Sequence, residues 1–234
     1  MSVIEEFQGF SEETVRFFRN LKRNNNKVWF DNHRERYESA VLEPAEAFVR
    51  SMGSRIRRFS PGIMAIPKVN GSLFRIYRDT RFSVDKSPYK TNMGIYFWDG
   101  NKPRMESSGY YFHLEPPHML LGVGMYMFPK SMLDIYRKAV ISSESGRSLT
   151  RIIKRIHSMP GIEIGGKYYK RIPPGYDMNH PNAELLLHNG LHAGMETRIP
   201  EEFYSKDLLD YCEKYYKTLE PLHRWLVEIN GNRN

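Results

Sequence analysis

The chain has 234 residues, with 35 Lys and Arg against 27 Asp and Glu, a formal excess of +8. Aromatic residues make up 13%, far above a disordered chain, and the length suffices for a sizeable core. The longest uncharged apolar run, Met119 to Phe128, falls short of the about 20 residues that span a bilayer, so no membrane partner is expected. The start carries Glu5 and Glu6 and no apolar stretch, and so reads as no secretory signal. Cys212, the one cysteine, can form neither an internal disulfide nor a Cys-based zinc site, and a cytoplasmic location is expected. The basic excess mildly favours anionic partners.

Helices come first. Ser11 is a good N-cap for a helix over 11–23, with Glu12 and Glu13 at its positive end and Val15, Phe18 and Leu21 on one face. A second helix is expected from Val28 to just before Pro44, whose ring disfavours helix at Glu43. Pro44 suits the first turn of a third, with Phe48, Met52, Ile56 and Phe59 as its stripe.

From Leu73 the period changes. Leu73 to Tyr77 is β-prone, and 91–98 alternates Met93, Ile95 and Phe97 against Asn92, Gly94 and Tyr96. Asp99-Gly100 marks a turn, 109–115 the next strand, and Pro116-Pro117 another turn. A strand over 118–127 sets Met119, Leu121, Val123, Met125 and Met127 on one face. Gly122 and Gly124 on the other invite a close backbone approach.

Two helices follow, one opened by Pro129 and one from about Leu149 with Ile152, Ile153 and Ile156. A hairpin around Gly165-Gly166, a short helix over 183–188 stopped by Gly190, a strand over 191–198 and a helix from about Lys206, broken or restarted at Pro221, complete the chain. The expectation is a single α+β domain over 1–234, a mainly antiparallel meander around 73–127 flanked by N-terminal and C-terminal helices.

The densest chemistry lies in RIYRDTRFSVDKSPYK, from Arg75 to Lys90. It holds five cations (Arg75, Arg78, Arg81, Lys86, Lys90), two acids (Asp79, Asp85) and two tyrosines, Tyr77 and Tyr89. The three-residue spacing of the arginines would align them on a helix; in a strand Arg78 would face away from Arg75 and Arg81. Pro88 favours strand-then-loop, in which the arginines need not converge. The segment carries R-x-x-R-D-x-R-F-x-x-x-[D/N]-K-x-x-Y through Arg75, Arg78, Asp79, Arg81, Phe82, Asp85, Lys86 and Tyr89. On this motif, with Asn24-Asn25, Trp29-Phe30, Tyr37 and Pro44 upstream, the chain resembles the domain-of-unknown-function family 2461, bacterial and fungal proteins of similar length. The resemblance implies no activity.

Three functions remain open on the residues themselves. Arginine keeps its charge and offers a planar fork of donors, which suits phosphate. The first reading is thus a basic, anion-binding protein recognising a phosphorylated ligand or a nucleic-acid backbone through Arg75, Arg78, Arg81, Lys86 and Lys90. The second is an enzyme on a phosphate- or carboxylate-containing substrate, with Asp79 or Asp85 as base or magnesium ligand and Tyr89 as proton donor; no cofactor is otherwise expected. The third is an Arg–Asp network that fixes the loop, with function through a protein partner. Tyr110 and Tyr111 could stack bases, although strand tyrosines are commonly half-buried rings, and the Lys167–Arg171 run reads either way. His188 and His192 are four apart, but Asn189-Gly190 breaks the helix a metal pair needs, and no metal site is expected. Cys212 lies on an apolar stripe and reads as core. No P-loop, G-x-G-x-x-G or G-x-S-x-G occurs. Substrate, catalysis and oligomeric state are not legible.

Overall fold

A computed structural model of the chain describes residues 6–231, so Glu5 in the expectation about a secretory signal lies outside the described residues. Helix α1 (Glu12–Arg23) begins as expected: Ser11 and Thr14 exchange side-chain and backbone bonds in a capping box. Its Val15, Phe17, Phe18 and Leu21 are buried.

The next stretch departs from the expected two helices. Helices α2 (Lys27–Asn32) and α3 (Arg34–Tyr37) are short, and a π-helical turn over Glu38–Leu42 carries the chain directly into α4 (Glu43–Ile56). Pro44 causes no break, because it falls in the first turn of α4, where its missing N–H is an orphan donor in any case. Phe59 lies beyond that helix.

The strands are β1 (Ile63–Met64), β2 (Met93–Asp99), β3 (Gly109–Glu115), β4 (His118–Met125), β5 (Glu163–Lys167) and β6 (His188–Arg198). They form one six-stranded antiparallel sheet in the order β1-β2-β3-β4-β6-β5, so the fold is α+β with a meander through β2, β3 and β4. Leu73 to Tyr77, expected as a strand, makes isolated bridges instead of a ladder, Leu73 to Val69 and to Ile95 and Tyr77 to Tyr89. Strand β4 ends at Met125, and Met127 is exposed rather than on its apolar face. Gly124 bears out the close approach: its φ is positive, and a Cβ there would collide with the Leu191 carbonyl oxygen.

Helices α5 (Lys130–Ile141) and α6 (Ser145–His157) follow, α6 starting about a turn before Leu149. Gly165 and Gly166 are not a hairpin turn. They lie within β5, which pairs with β6 (Gly165 opposite His192) and bulges before Lys167. Ala183–Leu187 forms a 3₁₀ turn, and Gly190, expected to stop that helix, already lies in β6. Helix α7 (Leu208–Gly231) runs on through Pro221 as one element, so the expected break is absent.

Contacts divide the chain into two compact units. One comprises the chain up to Phe97 with 111–121 and 197–215, the other 98–110, 122–196 and the chain from Tyr216 onward. The core of the first is aromatic: Phe10 stacks on Phe203 at 5.0 Å and on Phe112 at 5.8 Å, and Phe48 lies 4.9 Å from Phe112. In the second, Tyr136 donates to the Leu185 carbonyl at 3.0 Å, and the Trp225 indole donates to the Ser145 carbonyl at 3.1 Å. Burying these rings with their polar ends satisfied retains the apolar gain without an orphan donor. Among the described residues no helix is long and apolar enough to cross a membrane.

Candidate functional site

The Arg75–Lys90 segment folds back on itself without becoming a strand pair. Arg78 N–H donates to the Pro88 carbonyl at 2.9 Å and Lys90 N–H to the Ile76 carbonyl at 2.7 Å, either side of the Tyr77–Tyr89 bridge. Asn25, from the connection between α1 and α2, clamps this base. Its side-chain amide donates to the Tyr89 carbonyl at 2.9 Å, and its oxygen accepts from Tyr89 N–H at 3.0 Å. An Asn side chain presents one donor and one acceptor side by side, the same pair a neighbouring strand would offer. Tyr89 is buried, stacked 4.2 Å from Phe30. Burial first, and then the Tyr77 hydroxyl, pushes its own hydroxyl above the usual range. It stands in the core rather than at an open site.

The charged side chains pair in two sets. Arg78 donates to Asp85, to the Ser87 carbonyl at 3.3 Å and to the Ser83 hydroxyl at 3.4 Å. Asp85 also accepts from the Ser87 hydroxyl at 2.6 Å and from its N–H at 2.9 Å. These Ser87 bonds, then Arg78, hold the Asp85 carboxyl well below the carboxylate range. Arg81 grips Asp79 with two parallel bonds of 3.0 and 2.7 Å, and Asp79 is drawn down to about 2, first by that side chain and then by the Arg81 N–H. Lys86 donates to the Thr80 carbonyl at 2.9 Å. Arg75 is exposed, near enough to Asp79 to favour its anion.

Beside the base opens a cleft of about 390 Å³, lined by Phe74, Arg78, Asp79, Lys90, Asn92, Gly94 and Tyr111. Of the expected site residues it brings together Arg78, Asp79, Lys90 and Tyr111. Arg75, Arg81, Asp85, Lys86 and Tyr89 do not line it. Tyr110 is fully buried against Tyr216 and His223, at 5.2 and 4.8 Å. Lys90 donates to the Arg75 carbonyl at 3.0 Å and lies 5.7 Å from the Phe74 ring centre, a cation over an aromatic face. Gly94 leaves room for these rings: a Cβ there would stand 2.8 Å from the Tyr111 hydroxyl and 3.1 Å from the Phe74 ring, so one of them would have to shift.

Sequence reasoning missed Asn25, Phe74, Asn92 and Gly94 as parts of this site. Asn92 and Gly94 carry a usable signal: alternation puts them opposite the apolar Met93 and Ile95, and only a small residue admits a ring from β3. Phe74 and Asn25 carry none, since both act through an irregular backbone path. Burial lowers the basicity of His188 and His192, and among the described residues no three His, Cys, Asp or Glu side chains gather as a metal set. Cys212 is fully buried, and burial pushes its thiol up.

The model of the conserved hypothetical protein family DUF2461 matches residues 13–225. The chain belongs to this family. No curated protein matches it. In this DUF2461 chain the matched stretch contains the whole clamp, from Asn25 through Tyr89, and every residue lining the cleft.

Proposed function

We propose that the cleft binds a small phosphorylated molecule, with Arg78 and Lys90 taking its phosphoryl oxygens and Asn92 and Tyr111 supplying further polar contacts. The observation that carries this reading is one concavity of about 390 Å³ lined by Arg78, Lys90, Asn92 and Tyr111, two cations against the single carboxylate of Asp79, which Arg81 already pairs. Such a volume suits a small ligand, whereas a polynucleotide needs an extended basic track, so the small-ligand version is favoured over the nucleic-acid one. Arg78 is well placed to grip an oxyanion, because its three acceptors fix the fork and less freedom is lost when the anion docks. Enzymatic use of Asp79 or Asp85 as a base fits poorly, because carboxylates held this far down accept protons weakly near neutrality.

The structural reading of the motif has its own support, and it shares Asp79 and the Arg78–Asp85 pair with the cleft. Arg81, Asp79, Lys86 and Asp85 satisfy one another or nearby backbone, as a loop-fixing network does. Titration calorimetry with inorganic phosphate, a mononucleotide and single-stranded DNA separates the possibilities. Phosphate or mononucleotide should bind the wild type and lose at least tenfold in affinity in Arg78→Gln and Lys90→Gln. Binding that is tightest for DNA, with a steep salt dependence, would replace the small ligand by a nucleic-acid backbone. Phosphate affinity unmoved by both substitutions would remove the cleft as the site.

A further inference from the structure

Strand β3 places Tyr111, His113 and Glu115 at alternate positions, all half-buried, while Phe112 and Leu114 between them are wholly buried. The three side chains form a line leading out of the cleft. The Tyr111 hydroxyl, at the cleft wall, lies 2.9 Å from His113 Nδ1, and His113 Nε2 lies 3.8 Å from a Glu115 carboxylate oxygen. Lys22, from α1, holds the other Glu115 oxygen at 3.7 Å. Phe74 and Tyr96 flank the phenol at 6.1 and 6.4 Å. At the cleft itself the phenol shares the lining with Arg78, Asp79 and Lys90.

A phenol has one proton to give. With the cleft empty, Tyr111 can spend it on a neutral His113 Nδ1. An oxyanion in the cleft draws that proton toward itself, and the Tyr111 oxygen then faces Nδ1 as an acceptor, so Nδ1 must carry a hydrogen. Two states of the ring satisfy this. In the neutral Nδ1–H tautomer the Nε2 lone pair is turned toward the Glu115 carboxylate. In the imidazolium Nε2–H points at that carboxylate, and the charge is opposed by Glu115. The second state is the better one, although Lys22 offsets part of the Glu115 charge. Filling the cleft therefore favours protonation of His113, and by reciprocity protonation of His113 favours filling the cleft.

We infer that Tyr111, His113 and Glu115 form a proton-coupled arm of the cleft, through which it takes up one proton with its oxyanion and holds the phosphoryl group more tightly as pH falls. The inference rests on the proposed anion-binding reading and names the residues that tune it. Tyr111 is the contacting group; His113 and Glu115 act through it.

Sulfate is the suitable probe, since it is tetrahedral and keeps its charge throughout the imidazole range, unlike phosphate. Calorimetry from roughly pH 8 to roughly pH 5.5 should show wild-type affinity for sulfate rising about tenfold for each unit by which ligand raises the His113 pKa. The NMR titration of the His113 ring should move upward when sulfate is added. His113→Gln keeps a polar partner for the phenol and should flatten the profile while sulfate still binds; Tyr111→Phe should flatten it and weaken binding. Glu115→Gln, away from the cleft, should reduce the slope, which a merely structural role would leave alone. A wild-type slope retained in His113→Gln, or a ring titration unmoved by sulfate, overturns the arm. Sulfate that binds Arg78→Gln and Lys90→Gln as well as wild type, or does not bind wild type at all, overturns the cleft reading and the arm with it. Binding lost in those two variants but flat with pH in the wild type overturns the arm alone.

Discussion

The base and the tip of the Arg75–Lys90 segment use the same residue types to different ends. At the base, around Tyr77 and Tyr89, backbone bonds, the Asn25 clamp and a buried ring hold the chain in place. At the tip, from Asp79 to Lys86, Phe82 is 94% exposed and Val84 fully exposed, and the polar groups bond chiefly within the tip itself. Each has an arginine paired to an aspartate. The Arg78 side chain is 26% exposed and lines the cleft, whereas that of Arg81 is 76% exposed and does not. An ion pair in water contributes little, because solvent screens it and two long side chains must be ordered to make it. One held by several acceptors beside a concavity positions a charge. The motif thus divides into a positioned donor at the base and a self-satisfied tip.

Breaking the base should have the largest effect. Asn25→Ala leaves the Tyr89 N–H and carbonyl without their partner in a partly buried place, at a cost of about 1–3 kcal/mol for unmade bonds. Urea denaturation should show the lower midpoint, and cleft binding should weaken with it, because Lys90 and Arg78 hang on the same bridge. A midpoint equal to wild type would mean the base is held by Phe30 and Tyr89 packing alone.

Next comes the contrast between the two arginines. Arg78→Gln should abolish measurable phosphate binding while leaving the fold intact by circular dichroism. Arg81→Gln should leave phosphate affinity unchanged within error. Equal losses in the two variants would erase the distinction between base and tip, and would point to a ligand that reaches across the whole loop.

The sequence displayed much of this fold and less of this site, for a physical reason. Strands β2 and β3 are readable because side chains alternate at period two, and α1 because its cap and stripe agree. The expected strand at Leu73 failed where β-prone residues make bridges rather than a ladder, a matter of which backbone passes alongside. Pro44 stands in the first turn of α4 as its ring suggests, although no gap precedes that helix, whereas Pro221 misled: a ring that breaks an isolated helix is tolerated in a long helix whose neighbours are buried. For the site, composition alone marks Arg78, Lys90 and the tyrosines. Which guanidinium meets the cleft depends on the irregular turn between Asp79 and Asp85, and no periodicity encodes that. Tyr111, His113 and Glu115 share a face by simple alternation, but their alignment with the cleft depends on Gly94.

The smallest expected effect concerns the acid titration of the tip. Asp79 is lowered from 3.8 to about 2, chiefly by the Arg81 side chain. A carboxylate depressed in the folded state stabilises it at pH above its unfolded value, and that contribution disappears as pH falls through the folded one. The window is therefore between about 4 and about 2, and because both groups stand in water the stability involved is slight. The titration itself is a sharper readout than stability. Carbon NMR of the Asp79 carboxyl should give a midpoint near 2 in wild type and a higher one in Arg81→Gln, still below the free value because the residue-81 N–H and Arg75 continue to favour the anion. The Asp85 midpoint should stay where it is, since Ser87 and Arg78 hold it independently. If Asp85 moves together with Asp79, the Arg78–Asp85 and Arg81–Asp79 pairs titrate as one network, and the separation drawn between the two arginines fails at its most exposed point.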